Sequence, residues 1–277
     1  MSFKQPVIIT LVIVGATAAL MLLRTTQQPL KQDSARASVV HASRSSADTT
    51  AAASPNLSAS RGQVAPPIGD FVYLFDVSGS TKSSSAQNAF DQGVALLQPM
   101  FEALRQLDEL MPQRHRVATI GAMSLRGSPG CDIHVTSRTL FTATDSMAPV
   151  RAMRACADSL KAARSEPYTD ISGALSFAAL SLKGDWRAVR GIVLVTDLDE
   201  DRAPGTLPAR ADLRGLCVAV YTLITPDVQR DPPLLDRRQQ EWQSKLTGWG
   251  AYHVHMQSSL GFDAGDLQSF FRGCERH

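Results

Sequence analysis

The sequence has little of what marks nucleic-acid-binding and zinc-binding proteins. Aromatic residues make up 6% of the chain, the net charge is +2, and no run of Lys and Arg is interleaved with aromatic side chains. Nucleic-acid binding needs a basic surface, so we expect no nucleic-acid partner. The four cysteines include no C-x-x-C pair. This spacing argues against a zinc site and excludes a thioredoxin-like motif.

A nucleophile motif is also missing. The chain contains no G-x-S-x-G sequence, the turn that carries the serine of an α/β-hydrolase. His253 and His255 alternate on a late predicted strand, where we expect a structural or exposed role rather than metal binding. Neither feature supports an enzyme, and we expect none.

The first 24 residues contain a long apolar run. Pro6–Leu23 is 18 residues without a charge, close to the minimum that spans a bilayer. A small-residue cleavage sequence occurs only inside this run, so we expect an uncleaved anchor helix over residues 1–24. A cleaved signal peptide and a buried helix are the alternatives. Lys4 favours a cytoplasmic N-terminus, whereas Arg24 and Lys31 oppose it.

Residues 25–69 are rich in Ser, Ala, Thr and Gln and poor in bulky apolar side chains. Such a segment cannot bury enough surface to offset its ordering entropy, so we predict a flexible tether. A tether of this kind is typical of an extracytoplasmic spacer. We therefore expect a single-pass membrane protein with a periplasmic or otherwise extracytoplasmic domain over residues 70–277, with a cytoplasmic domain as the alternative.

From Phe71 onward, strand patterns alternate with helix patterns. Phe71–Phe75 and Gly191–Thr196 are unbroken apolar runs, which is typical of strands buried on both faces of a parallel sheet. The further predicted strands are Arg116–Met123, Cys131–Ser137, Gly215–Ile224 and Ala251–Met256. The predicted helices are Ser84–Leu107, Asp145–Arg164, Thr169–Leu182, Leu235–Trp249 and Asp263–Phe271.

Two local features refine this pattern. The link between the second and third strands is too short for a parallel crossover, so these strands should form an antiparallel hairpin at the sheet edge. Pro99 lies inside the first predicted helix and predicts a kink or a split there. Ser84 is the expected N-cap of this helix. The predicted fold is α/β: a doubly wound, Rossmann-like, mostly parallel six-stranded sheet with one antiparallel edge strand and helices on both faces.

Oxygen-bearing side chains follow the two most apolar strands and precede one helix. They are Asp76, Ser78 and Ser80 after the first strand, Thr169 before a helix, and Asp197 after a later strand. Ligands in open α/β sheets bind at the carboxyl ends of the central strands, where these loops should meet. Carboxylates and hydroxyls suit a hard cation, so the sequence predicts an Mg2+ site, with Mn2+ or Ca2+ as alternatives.

These motifs resemble the metal-ion-dependent adhesion site of the von Willebrand factor type A family. The resemblance covers about residues 70–275 and rests on D-x-S-x-S at Asp76–Ser80, on Thr169 and on Asp197. It implies that Ser78, Ser80 and Thr169 place hydroxyls on the metal, and that the two aspartates bind it directly or through water. It also implies that an acidic side chain of a protein partner can complete the coordination. The expected protein is then a membrane-anchored, bacterial-type recognition domain.

The chain departs from the pattern of this family in two places. The helix usually found between the fourth and fifth strands is not evident, because 201–213 is rich in Pro and Gly. The run Asp199–Asp201 makes the surroundings of the site more acidic than capture of an acidic partner would favour. We expect these three side chains to be solvated, with a second cation site or repulsion of carboxylates as alternatives.

Two other functions remain open. A haloacid-dehalogenase-like, Mg2+-dependent phosphohydrolase also ends a strand in Asp, but Ser78 stands where its second Asp, the general acid, should be. A von Willebrand A-like scaffold without metal is the other alternative. The cysteines allow three disulfide pairings in an oxidising compartment. For Cys217, which lies inside an apolar strand, a buried free thiol is the alternative to a disulfide.

Overall fold

The computed structural model describes residues 68–83, 86–107, 110–122, 130–136, 146–183 and 188–274. The predicted anchor helix and nearly all of the predicted tether therefore lie outside the described residues. Within the described part of the chain, no helix is long and apolar enough to cross a bilayer. The first strand begins at Ile68, two residues before the expected start of the domain.

Six strands form one sheet in the order β3-β2-β1-β4-β5-β6. All neighbouring pairs are parallel except β2 and β3, which are antiparallel. The predicted fold class and edge hairpin are therefore confirmed. The strands are β1 (Ile68–Asp76), β2 (Gln113–Ile120), β3 (Cys131–Val135), β4 (Ala188–Thr196), β5 (Cys217–Thr222) and β6 (His253–Ser258).

Helices cover both faces of this sheet. Side chains that alternate along β1 enter two separate cores, with Phe71 and Tyr73 in one and Val72 and Leu74 in the other. This explains why the strand is apolar without interruption. The helices are α1 (Gly79–Lys82), α2 (Gln87–Ala95), α3 (Leu97–Arg105), α4 (Ala148–Ala162), α5 (Ile171–Ser181), α6 (Pro226–Arg230), α7 (Pro233–Gly248) and α8 (Ala264–Arg272).

The first long predicted helix is split in two, as Pro99 indicated. The break lies at Leu96, between α2 and α3. Pro99 is the third residue of α3, where its missing N–H is not needed for the helix. The split therefore occurs upstream of the proline. The predicted cap at Ser84 lies outside the described residues.

The crossover from β4 to β5 contains no helix, as expected. Leu213 and Leu216 are buried in the core that contains Val72 and Leu74, together with Trp242 of α7. Leu213 also donates its backbone N–H to the carbonyl of Trp249 at 3.1 Å. Apolar residues of an extended segment thus cover the surface that a helix would otherwise cover.

Two disulfides connect the edge and the end of the chain to the core. Cys131 of β3 is bonded to Cys156 of α4, and Cys217 of β5 is bonded to Cys274. Their Cα atoms are 6.1 and 6.4 Å apart, within the usual range for disulfides. Of the alternatives left open for Cys217, the structure has the disulfide and not the free thiol, because the chain after α8 brings Cys274 to the buried start of β5.

Candidate metal centre

Asp76 ends the central strand β1, and both of its carboxylate oxygens are engaged. Oδ1 accepts the backbone N–H of Ser78 at 2.9 Å, and Oδ2 accepts the hydroxyl of Thr196 at 2.6 Å. The side chain is 1% exposed. Since β1 and β4 are adjacent and parallel, the Thr196 bond joins the carboxyl ends of the two central strands.

The turn after Asp76 places two serine hydroxyls side by side. The Oγ atoms of Ser78 and Ser80 are 3.0 Å apart. Ser78 is buried and Ser80 is exposed. The hydroxyl of Thr81 fixes the turn by donating to the carbonyls of Asp76 and Ser78, each at 3.1 Å. One side of the cluster is therefore closed by the protein, and the side at Ser80 faces solvent.

Asp197 directly follows β4 and lies against the first loop. Its carboxylate is 1% exposed and accepts the backbone N–H of Asp199 at 3.1 Å. Burial, and then the negative charge of Asp76, raise the pKa of Asp197 to about 7, although the Ser80 hydroxyl opposes this rise. Burial also raises the pKa of Asp76, against the hydrogen bonds from Thr196 and Ser78. The two carboxylates are thus buried close enough to disfavour each other's charge.

The loop that carries Thr169 is tied to the same edge of the sheet by backbone bonds. Glu166 donates its N–H to the carbonyl of Val77 at 2.9 Å and accepts the N–H of Gly79 at 2.8 Å. Thr169 is buried, and its N–H donates to the carbonyl of Asp201 at 2.6 Å. Among the described residues its hydroxyl makes no hydrogen bond to the other four predicted ligands. The structure therefore brings together Asp76, Ser78, Ser80 and Asp197 by side-chain contacts, and Thr169 through its loop.

The acidic run after Asp197 is solvated in part: Asp199 and Asp201 are exposed, as expected, whereas Glu200 is half-buried. Asp199 Oδ2 forms an ion pair of 2.6 Å with Arg238. Glu200 Oε1 accepts the N–H of Ser172 at 2.8 Å, at the start of α5. Arg238 balances one of these charges, and the helix N-terminus favours the other.

Two residues at this site were not predicted from the sequence. Thr196 bonds to Asp76, and Arg238 of α7 bonds to Asp199 and to the carbonyl of Asp197. A single hydroxyl at the end of the apolar run of β4 was a signal for Thr196. Nothing in the local sequence distinguishes Arg238 from Arg237.

The donor set fits a hard divalent cation. It combines two buried carboxylates with serine hydroxyls, and oxygen donors of this kind are preferred by Mg2+, Mn2+ and Ca2+. Because burial raises the pKa of both carboxyls, and the charge of Asp76 also raises that of Asp197, a neighbouring positive charge would stabilise their ionised forms. In the described ranges, no group of three or more His, Cys, Asp and Glu residues could hold a metal. A cation would therefore depend on the hydroxyls of the first loop.

The same geometry does not favour phosphoryl transfer. Ser78, at the position of the general acid in a haloacid-dehalogenase-like site, has its hydroxyl beside that of Ser80 and cannot serve as a carboxylic acid. Lys82, the nearest lysine along the chain, donates instead to carbonyls at the C-terminal end of α4, those of Leu160, Lys161 and the C-cap residue Ala163.

Comparison with known proteins gives similarity to solved structures only, since no family model and no curated protein matches the chain. An aerotolerance-related membrane protein from Bacteroides fragilis is 14% identical with a TM-score of 0.43, covering 74% of this chain and 99% of that chain. A von Willebrand factor type A structure from Catenulispora acidiphila is 12% identical with a TM-score of 0.37; 76% of this chain matches 42% of that chain, less than half its length. Manganese-loaded TRAP protein from Plasmodium vivax is 13% identical with a TM-score of 0.36, and the match covers 76% of this chain and 74% of that chain. Similarity at this level does not identify a function, which has to be inferred from the site itself.

Proposed function

We propose that this protein binds a divalent cation, Mg2+ in the first place, through Asp76, Ser78, Ser80, Thr169 and Asp197. The observation that carries the proposal is the burial of two carboxylates at the ends of adjacent central strands, with hydroxyls beside them. The bound cation supplies a positive charge that can attract an acidic group. The role of the five side chains is to hold that charge at the edge of the sheet.

The partner that suits this arrangement is a protein with an exposed acidic side chain. Ser80 is the exposed member of the cluster, so a partner approaches from this side. Arg238 and the start of α5 offset the charges of Asp199 and Glu200, which removes much of the repulsion that the acidic run would exert. We infer recognition rather than catalysis, because Ser78 stands where the general acid of a haloacid-dehalogenase-like site would be.

The same domain is proposed to face an oxidising compartment. Disulfides persist outside the cytoplasm and are rare inside it, and all four cysteines are paired here. This supports an extracytoplasmic domain held by an anchor helix over residues 1–24 and a tether over 25–69. The anchor itself is inferred from the length of its apolar run.

Binding of Mn2+ to the full chain, measured by calorimetry in detergent, tests the metal proposal. We expect saturable binding that EDTA reverses and that Asp76→Ala abolishes. Asp158→Ala removes an exposed carboxylate on α4 and should leave binding unchanged. Loss of binding in both variants, or no binding in the unmodified protein, would instead favour a scaffold that works without metal.

A further inference from the structure

Arg238 of α7 connects this helix to the segment that carries Asp197. One guanidinium nitrogen donates to the backbone carbonyl of Asp197 at 3.1 Å, and another forms the 2.6 Å ion pair with Asp199. The side chain is 14% exposed, whereas that of its neighbour Arg237 is 60% exposed and is paired with Asp231. Of these two adjacent arginines, only Arg238 contacts the candidate metal centre.

The segment held by Arg238 has an unfavourable backbone conformation. Leu198 has a φ of +62°, the only positive φ at a non-glycine residue in the described ranges. A branched side chain in this region is strained, so surrounding contacts must maintain the turn. Trp242 of α7 donates its indole N–H to the carbonyl of Leu198 at 3.0 Å. Arg238 donates to Asp197 and to Asp199, the residues on either side of Leu198.

The turn also decides where the Asp197 carboxylate lies. Asp197 has its side chain against Ser80 and Asp76 and its carbonyl against Arg238. A rotation of this peptide would move both groups at once. Contacts that orient a metal ligand from outside the coordination sphere commonly matter for metal affinity.

We propose that Arg238 is a positioning residue of the metal centre, which aims Asp197 by holding the strained turn at Leu198. The inference rests on the proposed metal binding and extends it to a residue of α7. Charge and positioning have opposite consequences here. Removing a positive charge near a divalent cation should tighten metal binding, whereas releasing the turn should weaken it.

The direction of the change in Mn2+ affinity therefore tests the proposal. By calorimetry on the full chain, we expect Arg238→Gln to weaken binding about tenfold, as for other residues that orient ligands. Arg238→Lys keeps the charge but lacks the fork of donors, so it should restore only part of the affinity. Arg237→Gln removes the same charge one residue away and should change affinity less than about twofold. Unchanged or tighter binding in Arg238→Gln would overturn the proposal.

Hydrogen exchange of the metal-free protein separates this proposal from metal binding itself. Arg238→Gln should speed exchange of the Leu198 and Asp199 amides, while the amides of β1 remain protected as in the Arg237→Gln control. Unchanged exchange at these two amides would refute the positioning role whether or not Mn2+ binds. Faster exchange in a protein that binds no Mn2+ would keep the role in holding the turn and reject the metal centre.

Discussion

Thr196 links three parts of the candidate site through one hydroxyl. It donates to Asp76 Oδ2 at 2.6 Å and accepts the backbone N–H of Leu198 at 3.1 Å. The residue is fully buried, so water cannot replace either bond without local opening. Its hydroxyl therefore supports both the carboxylate of β1 and the strained turn after β4.

Replacement of this hydroxyl should destabilise the protein. Thr196→Val preserves the shape but leaves a buried carboxylate oxygen and a buried N–H without partners, so we expect a loss of about 1–3 kcal/mol for each unsatisfied group. Thr196→Ser keeps the hydroxyl and serves as the control, with a smaller loss. Urea unfolding monitored by circular dichroism measures both. Equal losses in the two variants would contradict the role assigned to the hydroxyl.

His115 lies in the core, where its ring makes two hydrogen bonds, and it is not part of the candidate metal centre. Its Nδ1 is 2.9 Å from the Tyr73 hydroxyl, and its Nε2 is 3.0 Å from the side-chain oxygen of Gln113. Phe71 stacks on the ring, and Phe101 packs against it edge to face. Burial, together with the charge of Arg105, lowers the pKa of His115 from 6.5 to about 3.

This shift makes stability depend on pH in a defined direction. Between pH 6.5 and 3 the unfolded state takes up a proton on His115 that the folded state does not. The contribution of the neutral His115 to the free energy of unfolding is therefore present in full above pH 6.5. It decreases as the pH falls, by at most about 1.4 kcal/mol per pH unit. Urea unfolding at several pH values should show a shallower decline in His115→Leu than in the unmodified protein. Parallel declines would show that His115 does not titrate in this way.

At this scale the sequence shows the proposed ligands but not the residues that hold them. Asp76, Ser78 and Ser80 are recognisable because they occur within five positions of one another. Thr196 acts on a carboxylate 120 positions away, and Arg238 acts on a carbonyl 41 positions away. These contacts arise from the pairing of β1 with β4 and from the packing of α7. Neither arrangement can be recognised from a local sequence pattern.

Gly191 lets a helix lie closely on the central strands. A Cβ atom at this position in β4 would meet the ring of Phe271 from α8 and lie 2.9 Å from Cδ1 of Phe71. The two rings pack edge to face with centroids 5.3 Å apart. Both phenylalanines are fully buried, so neither ring has free space to enter.

Gly191→Ala is therefore expected to destabilise the fold, although alanine suits a strand better than glycine does. Overpacking of a filled core commonly costs about 1–3 kcal/mol. Gly248→Ala, at the end of α7 where a Cβ meets no atom within 4 Å, is the matched control and should be close to neutral. Thermal unfolding of the two variants compares them. A neutral result for Gly191→Ala would mean that α8 can move away from the sheet.

The elements themselves were largely predictable, because hydrophobic period and turn residues are local signals. The apolar runs of β1 and β4 and the short link between β2 and β3 led to the observed sheet. Asp170 and Asp263 cap α5 and α8 by accepting backbone N–H groups, within one residue of the helix starts predicted at Thr169 and Asp263. The break at Leu96 was displaced from the proline because the first turn of a helix tolerates proline.

The disulfides act at the scale of the whole molecule. One fastens the antiparallel edge strand to α4, and the other fastens the chain after α8 to β5. Their pairing could not be predicted, since it depends on which helix covers which strand. Once formed, the pairs place a constraint on the compartment, because a reducing environment would keep these thiols unpaired.

The redox state of the cysteines in cells therefore tests the predicted orientation of the whole chain. The full chain, expressed in an export-competent bacterial host and quenched in acid, should have no thiol that a maleimide–polyethylene glycol reagent labels before reduction, and four afterwards. A chain that starts at residue 25 lacks the proposed anchor, remains in the cytoplasm, and should be labelled at all four cysteines without reduction. Labelling of the unreduced full chain at four cysteines would place the domain in the cytoplasm, because there the same thiols stay reduced. Protection in both chains would show that the pairs form in either compartment, and the disulfides would then no longer support export.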